Sequence, residues 1–582
     1  MLAEVGGRTG LRSARAARSP WRRRLAWAVA LAVALAALFL LSLSQSRSSA
    51  LSSDGASNIL QAQAMLHGNP LLRGWWTSDV SFYTTELPEY ALAVAARGLS
   101  PDVVHICGAL TYTLTVALAG LLARGRATGA AGLRRAGIAV AIMLAPSVLG
   151  GTEVFLENPD HFGTSVPILL VLLLLDWGEG RDDAGGPRWY VPAGVCALLA
   201  WSQVGDELSL VAATVPIGAV CAFRLAVALI RRRPRAEPRR DGLLVAAALV
   251  SVAVAGVAER ALRAIGGFDQ RPIPATRLAS LGQVPGNARL LSQSIVLLFG
   301  ANKPGKPSQP LTISRHVPLL LSADLHVIGL VVAAAGLIAG IAAGFFGRSA
   351  RPGGQGRDRV AQILVAAIGV TIAAGLFTTV MQSLSSAHEV AILLPLGAVL
   401  AGRTLPSSAR SLVRRLTQAR APSVWMATVT TAATVALVGW LTVGASEAAY
   451  GATWPATPLP MQSVAAWLVA HHQREGLAAY WQGTETTVAS GGRVLVAPVT
   501  AGGTAAKHWE ASSAWYQPSR ARATFVIAGL SPISSENALS VAAARARFGP
   551  PAAEYHVGID IVMIYRYNLL TRLNGRTFPG PS

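Results

Sequence analysis

The sequence predicts an α-helical polytopic membrane protein of about eleven transmembrane helices, carrying a small extracytoplasmic α/β domain at its C-terminus. Three observations predict it. Of 582 residues, 52% are hydrophobic and only 14% charged, where a water-soluble chain carries about 25% charged residues. Apolar runs long enough to cross a bilayer recur along the chain. The arginines behind the net charge of +21 fall in short segments between those runs, as topology signals do. That placement argues against nucleic acid as a partner.

The chain begins with a basic segment, 1–24, holding Arg8, Arg12, Arg15, Arg18 and Arg22 to Arg24. The apolar stretch that follows is longer than the core of a signal peptide, and SLSQS makes a poor cleavage site. It is read as an uncleaved first helix with its N-terminus in the cytoplasm. A membrane domain over 25–444 then contains spans near 25–44, 103–123, 137–152, 164–177, 189–203, 207–230, 243–262, 324–347, 360–381, 388–404 and 424–444.

Arginine placement assigns the sides. Arg124, Arg126, Arg134 and Arg135, then Arg231 to Arg233, Arg235, Arg239 and Arg240, mark cytoplasmic loops. So do Arg348, Arg351, Arg357 and Arg359, and later Arg403, Arg410, Arg414, Arg415 and Arg420. Only GEGRDDAGGPR balances its bases with acids. The polar segments 45–102, 152–165 and 263–323 and the tail 445–582 then lie outside a plasma membrane.

The tail has a soluble composition. QSVAAWLVAHHQREG and SENALSVAAARARFG read as helices. TTVASGGRVLVAPV, ARATFVIAGL and the alternating YHVGIDIVMIY read as strands. Trp454, Trp467, Trp481, Trp509 and Trp515 are core residues by default, with stacking on sugar faces as the alternative. Cys107, Cys196 and Cys221 sit in apolar runs without metal-ligand spacing, so neither a disulfide framework nor a zinc-finger-type site is predicted.

The acidic groups outside the membrane are the candidate chemistry. Asp54, in SSDGASNILQAQAMLHGNP, has two open readings: a helix cap shared with Ser53, or a general base for a hydroxyl acceptor. Glu86, in SFYTTELPEY, is either a solvated loop end or a functional carboxylate. Glu157, Asp160 and His161 crowd the short loop LENPDHFGT, as a polar hairpin cap or as a site. Candidate phosphate ligands are Arg271, Arg277, Lys303, Lys306, Arg315, His316 and His388, the last beside Glu389. LLSQSIVLLFG is too short to span and reads as an interfacial helix or a packed re-entrant segment.

Together these features resemble the GT-C glycosyltransferases, the superfamily of protein O-mannosyltransferases and lipid A aminoarabinose transferases. The resemblance rests on the arginine-rich start, the single helix and the loop opening on D-x(3)-N-x(5)-A with HGNP and ELP. It rests also on the acidic loop LENPDHFGT after the third helix. The tail segment GLAAYWQGTETTVASGGRVLVAPV is similar to uncharacterised actinobacterial members.

The resemblance implies transfer of a sugar, with inversion, from a polyprenyl-phosphate carrier to a glycan, lipid or protein acceptor outside the cell. It implies Asp54 as the general base, with Asp160 and Glu86 orienting the acceptor. Glu157, His161, His388, Arg271, Lys303 and Arg315 would bind substrate. The acidic pair often found in the first loop is here Asp54–Gly55, so no metal ligand is assigned, and a divalent ion is left open. Two other classes stand beside this one. A flippase for lipid-linked intermediates is disfavoured by the lack of charges at span centres, and a non-catalytic envelope assembly factor would use the acids only as caps.

Overall fold

A computed structural model describes residues 20–156, 161–179, 189–232, 236–270, 276–302, 313–346, 358–416, 423–529 and 539–575. Helices occupy all eleven regions expected to span. Among the described residues, seven are long and apolar enough to cross a membrane: Arg24–Ser46, Asp102–Arg124, Leu210–Ile230, Pro238–Ala264, Leu321–Gly344, Arg359–Phe377 and Thr428–Gly451. The bent pair Leu384–Val390 and Leu393–Pro406 makes an eighth if it is one span. Phe162–Gly178 and Tyr190–Gly205 are shorter apolar helices. The helix expected near 137–152 runs instead over Gly129–Met143, because Pro146 and the left-handed Gly150 turn the chain before it can reach further. The molecule is a multi-pass membrane protein. Large apolar side chains such as Leu40, Ile230 and Val257 point outward, as lipid-facing residues must.

Alternation of the helices gathers the polar segments at one end of the bundle. At the other end, buried arginines tie helices together. Arg403 donates to Asp176 at 2.6 Å, to Asp358 at 3.0 Å and to the Leu122 carbonyl at 2.7 Å. Arg359 pairs with Asp241 at 2.9 Å.

The polar end is built from loops and tail together. Strand β1 (Trp75–Thr77), from the first loop, pairs in parallel with β2 (Asp269–Gln270) of the third polar region. On its other edge β1 pairs antiparallel with a tail strand, Ala511–Ser512, which is β5 in chain order. A second sheet forms the tail core: β3 (Glu475–Ala479), β4 (Leu495–Val499), β6 (Phe525–Gly529), β7 (Ala553–Val557) and β8 (Asp560–Ile564), in the order β4-β3-β6-β8-β7.

The expected tail helices appear at Gln462–Ala470 and Val541–Phe548. The first four residues of the TTVASGGRVLVAPV run depart from expectation and are helical, as part of Tyr480–Ala489. Its threonines meet helical demands locally: the Thr486 and Thr487 hydroxyls donate to the carbonyls of Gln482 and Gly483, one turn back. Packing on the helix Ser53–Leu66 then outweighs β propensity. The segment around Leu290 is a surface helix, Val284–Leu298, with Asn287, Leu291, Ser294 and Leu298 on one buried face.

Candidate functional site

The helix that carries Asp54 starts one residue earlier than a cap by Ser53 or Asp54 requires. Ser52 is the N-cap, its Oγ accepting from the Gly55 N–H at 3.1 Å. That leaves Asp54 in the first turn for other contacts. It is half-buried, and its Oδ1 lies 2.5 Å from the phenol oxygen of Tyr480, at the start of the tail helix Tyr480–Ala489. The same phenol lies 2.5 Å from Oε2 of Glu510. Ser53 donates to Glu485 at 3.0 Å, and Thr484 donates to the Ser53 carbonyl. Burial first, then the Asp54 charge, pushes Glu485 up to about 8, against the Ser53 hydrogen bond. Trp481 stays exposed and meets Tyr480 edge-on, while Trp515 packs against Trp75 of the first loop.

A second centre forms where helix ends meet. His161 begins the turn before the helix Ser165–Glu179, with φ 50°, in the left-handed region. His388 and Glu389 lie on the short helix Leu384–Val390. The two imidazoles stack at 5.3 Å, and Glu389 reaches both, at 3.7 Å from His161 Nε2 and 3.6 Å from His388 Nε2. Behind them Asp206, at the end of the helix Tyr190–Gly205, lies 3.1 Å from His161 Nδ1.

Asp206 is itself fixed by the Thr164 hydroxyl at 2.6 Å and the Leu208 N–H at 2.9 Å. Burial would raise Asp206, but the His161 charge and these hydrogen bonds hold it below the usual carboxylate range. An ionised carboxylate only accepts, so His161 Nδ1 carries the hydrogen and Nε2 faces Glu389. Asp79 lies within electrostatic reach of both His161 and Glu389; burial raises it, the imidazole opposes and Glu389 adds.

His161, His388 and Glu389 line one small pocket together with Thr164, Thr371 and the apolar side chains of Ile168, Leu208, Val211, Ala212 and Ile392. Ligand atoms of His161, His388 and Glu389 all lie within 4.8 Å of one another. Two imidazoles and a carboxylate, one imidazole oriented by a second carboxylate, form a donor set that suits a divalent cation.

The sequence-predicted residues are distributed as follows. His161 and His388 come together. Glu86 lies directly under them but is fully buried, 1% exposed, with its carboxyl against Gly163. Burial pushes it well above the usual carboxylate range. Its carboxyl lies behind the turn 161–164. Asp54 joins the tail group. Glu157, Asp160, Arg271 and Lys303 lie outside the described residues. Arg315 is at the start of the helix Ile313–Ile341, and its side chain also lies outside what is described. Asp206, Asp79, Tyr480, Glu485 and Glu510 lie outside the sequence-predicted set. Asp206 had a signal: an acid ending an apolar run in WSQVGDE.

No family model and no curated protein matches the chain. Among solved structures, it is similar to ArnT from Cupriavidus metallidurans, at 13% identity over 95% of this chain and 99% of that one, with a TM-score of 0.50. The chain has the GT-C fold. A more distant likeness, at TM-score 0.46 and 13% identity, is to the Archaeoglobus fulgidus oligosaccharyltransferase in complex with Zn and sulfate. It covers 85% of this chain and 68% of that one.

Proposed function

We propose that the protein is a glycosyltransferase that takes a sugar from a polyprenyl-phosphate carrier and passes it, with inversion, to a hydroxyl acceptor outside the plasma membrane. The observation that carries this is the second centre: a His–His–Glu group that shares a pocket with apolar side chains at the polar end of the bundle. A phosphate on an isoprenoid chain has that pattern, an anion joined to a hydrocarbon. The shared fold adds support, since ArnT was solved bound to undecaprenyl phosphate. Arginine placement supports the polar end facing outward.

The chemistry follows from the groups present. The acceptor oxygen attacks the anomeric carbon from the side opposite the phosphate; the new C–O bond forms as the bond to the phosphate oxygen breaks. Asp54 takes the acceptor proton, a role worth on the order of 10²–10⁴-fold, and polyprenyl phosphate leaves. His161, His388 and Glu389 would hold a divalent cation, which neutralises phosphate charge when bound. Asp206 fixes the His161 tautomer, Glu86 props the turn beneath it, and Asp160, one residue away in sequence, completes the acidic loop.

The test uses full-length protein in nanodiscs with undecaprenyl phosphate as the probe. Native mass spectrometry should show the wild type binding it, and the His161→Ala/His388→Ala double variant binding at least about tenfold more weakly, at an unchanged apparent melting temperature. In cells, Asp54→Asn should accumulate normally and abolish the envelope glycan product. Wild-type protein that ignores the lipid, or an Asp54→Asn strain with normal glycan, overturns the proposal.

A further inference from the structure

The tail holds a second cavity, of about 470 Å³, that the chemistry above does not use. It opens beside the starts of β3 and β6, and every residue that lines it belongs to the tail. One wall carries His472, Arg474 and Glu475; the other carries Arg520, Arg522 and Thr524. The strands bring these walls together. β3 and β6 run parallel with Gly476 level with Phe525, so Arg474 lies beside the segment that leads into β6. Along that segment Arg520 and Arg522 are exposed and Ala523 is buried. The period-two alternation of an extended chain therefore turns both arginines to the same side.

Both walls are fixed through their backbones. The Ala521 N–H donates to the Gln517 carbonyl at 2.9 Å, the Asn568 side chain donates to the Ala521 carbonyl at 2.9 Å, and the Thr524 N–H donates to the Glu475 carbonyl at 2.9 Å. The Arg522 N–H donates to the Glu475 carboxylate. Opposite, the Gln473 N–H donates to the Leu468 carbonyl at 2.9 Å and the Leu495 N–H to the Arg474 carbonyl at 2.8 Å, around His472 at φ 55°. Other arginines of the tail are engaged: Arg545 grips Glu554 at 2.9 and 2.7 Å, and Arg493 donates to the Ser490 carbonyl at 2.8 Å. Among the described residues, the side chains of Arg474, Arg520 and Arg522 have no hydrogen-bond or ion-pair partner. Three cations on fixed backbones repel one another, and an anion placed between them replaces that repulsion with attraction.

We propose that this cavity binds a phosphorylated saccharide, its phosphate held by Arg474, Arg520 and Arg522 and its hydroxyl groups by Glu475 and Thr524. The walls select that chemistry. A guanidinium offers paired donors that match a phosphate. Beside the arginines stand a carboxylate, an imidazole and the hydroxyls of Ser519 and Thr524, a mixture of donors and acceptors that suits sugar hydroxyls. Of the nine lining residues only Pro518 and Ala521 are apolar, too little to cover a lipid tail. No Phe, Tyr or Trp lines the walls for a nucleobase to stack on. The volume exceeds what a bare phosphate needs and falls within the range of about 300–1,000 Å³ usual for small-molecule sites. Tyr480, beside Asp54, is at the other end of β3, about 20 Å away at about 3.3 Å per residue. The ligand is thus separate from a sugar undergoing transfer, and the site stands whether or not Asp54 is the base.

Calorimetric titration of full-length protein in phosphatidylcholine nanodiscs tests this, with glucose 6-phosphate as the probe and glucose and inorganic phosphate as controls. The wild type should bind glucose 6-phosphate more tightly than inorganic phosphate, ignore glucose, and bind more weakly as salt is raised. Arg520→Ala/Arg522→Ala should weaken glucose 6-phosphate binding at least about tenfold through the loss of charge-assisted hydrogen bonds. The His161→Ala/His388→Ala variant should bind it within about twofold of wild type, since the second centre is not involved. Tryptophan-fluorescence melting identifies a variant that has not folded, and Arg520→Gln/Arg522→Gln then takes its place. Absence of binding, or binding lost with the histidines and kept without the arginines, overturns the proposal. Inorganic phosphate bound as tightly as glucose 6-phosphate would reduce the ligand to a bare anion and overturn the saccharide assignment. So would loss of the probe when phosphatidylglycerol replaces phosphatidylcholine, which would give the cavity to lipid headgroups. Undecaprenyl phosphate binding is read separately, so failure of the transferase proposal leaves its own mark.

Discussion

Glu485 gains nothing from being charged. Its folded pKa is raised to about 8 from 4.5, so folding favours its protonated form. The stability it lends is complete below about 4.5 and is lost as pH climbs through about 8. The apparent melting temperature of the wild type should therefore fall across that window, and Glu485→Gln should flatten the fall and melt higher than wild type above pH 8. An identical slope in both proteins would show the carboxyl to be solvated. Gly163 makes a different residue-scale prediction. A Cβ there would come 2.1 Å from Glu86 Oε1, itself enclosed. Gly163→Ala should cost about 1–3 kcal/mol by overpacking and weaken undecaprenyl phosphate binding by displacing His161. Neither effect was legible in sequence: Asp54 and His161 stood out as acids and imidazoles near a membrane edge. Their partners Tyr480, Glu510 and Asp206 lie 426, 456 and 45 residues away, and no local pattern encodes such pairing.

Elements were far more legible than sites. Each apolar run became a helix because a backbone in hydrocarbon has no other way to satisfy its N–H and C=O groups, and that constraint acts locally on sequence. The tail shows where local reading stops. Glu475–Ala479 became β3 although glycine and alanine are poor strand formers, since the Phe525 ring fills the space over Gly476 and any Cβ there would come 2.2 Å from it. Arg403 illustrates an element-scale contact with a measurable consequence. It closes the far end of the bundle by joining Asp176 and Asp358 to its own helix, with its side chain 5% exposed. Arg403→Ala leaves Asp176 buried without its cation, a loss of about 3–5 kcal/mol. Melting in detergent should drop markedly, while Arg126→Ala, in the exposed turn after the helix Asp102–Arg124, should leave it unchanged. Equal melting temperatures would mean that water reaches Asp176 and replaces the arginine.

At the scale of the whole molecule, the chain divides its proposed chemistry between two bodies. His161, His388, Glu389 and Asp206 all sit on ends of bundle helices or the turns beside them, whereas Asp54 is held by Tyr480, and through it Glu510, from the tail. The β2-β1-β5 sheet and the Trp75–Trp515 contact join the two bodies through the first loop. A chain ending after residue 453 should therefore insert, fold its bundle and bind undecaprenyl phosphate within about threefold of wild type, because the ligands proposed for the lipid remain. The same chain should make no glycan product, since β1 loses a neighbour on one edge and Asp54 loses the phenol that orients it. Binding and turnover separate only if the lipid site and the base belong to different bodies. A truncated chain that loses lipid binding while its bundle still melts cooperatively would place the lipid site under the tail's control. One that still makes product would show that Asp54 needs no contact from the tail.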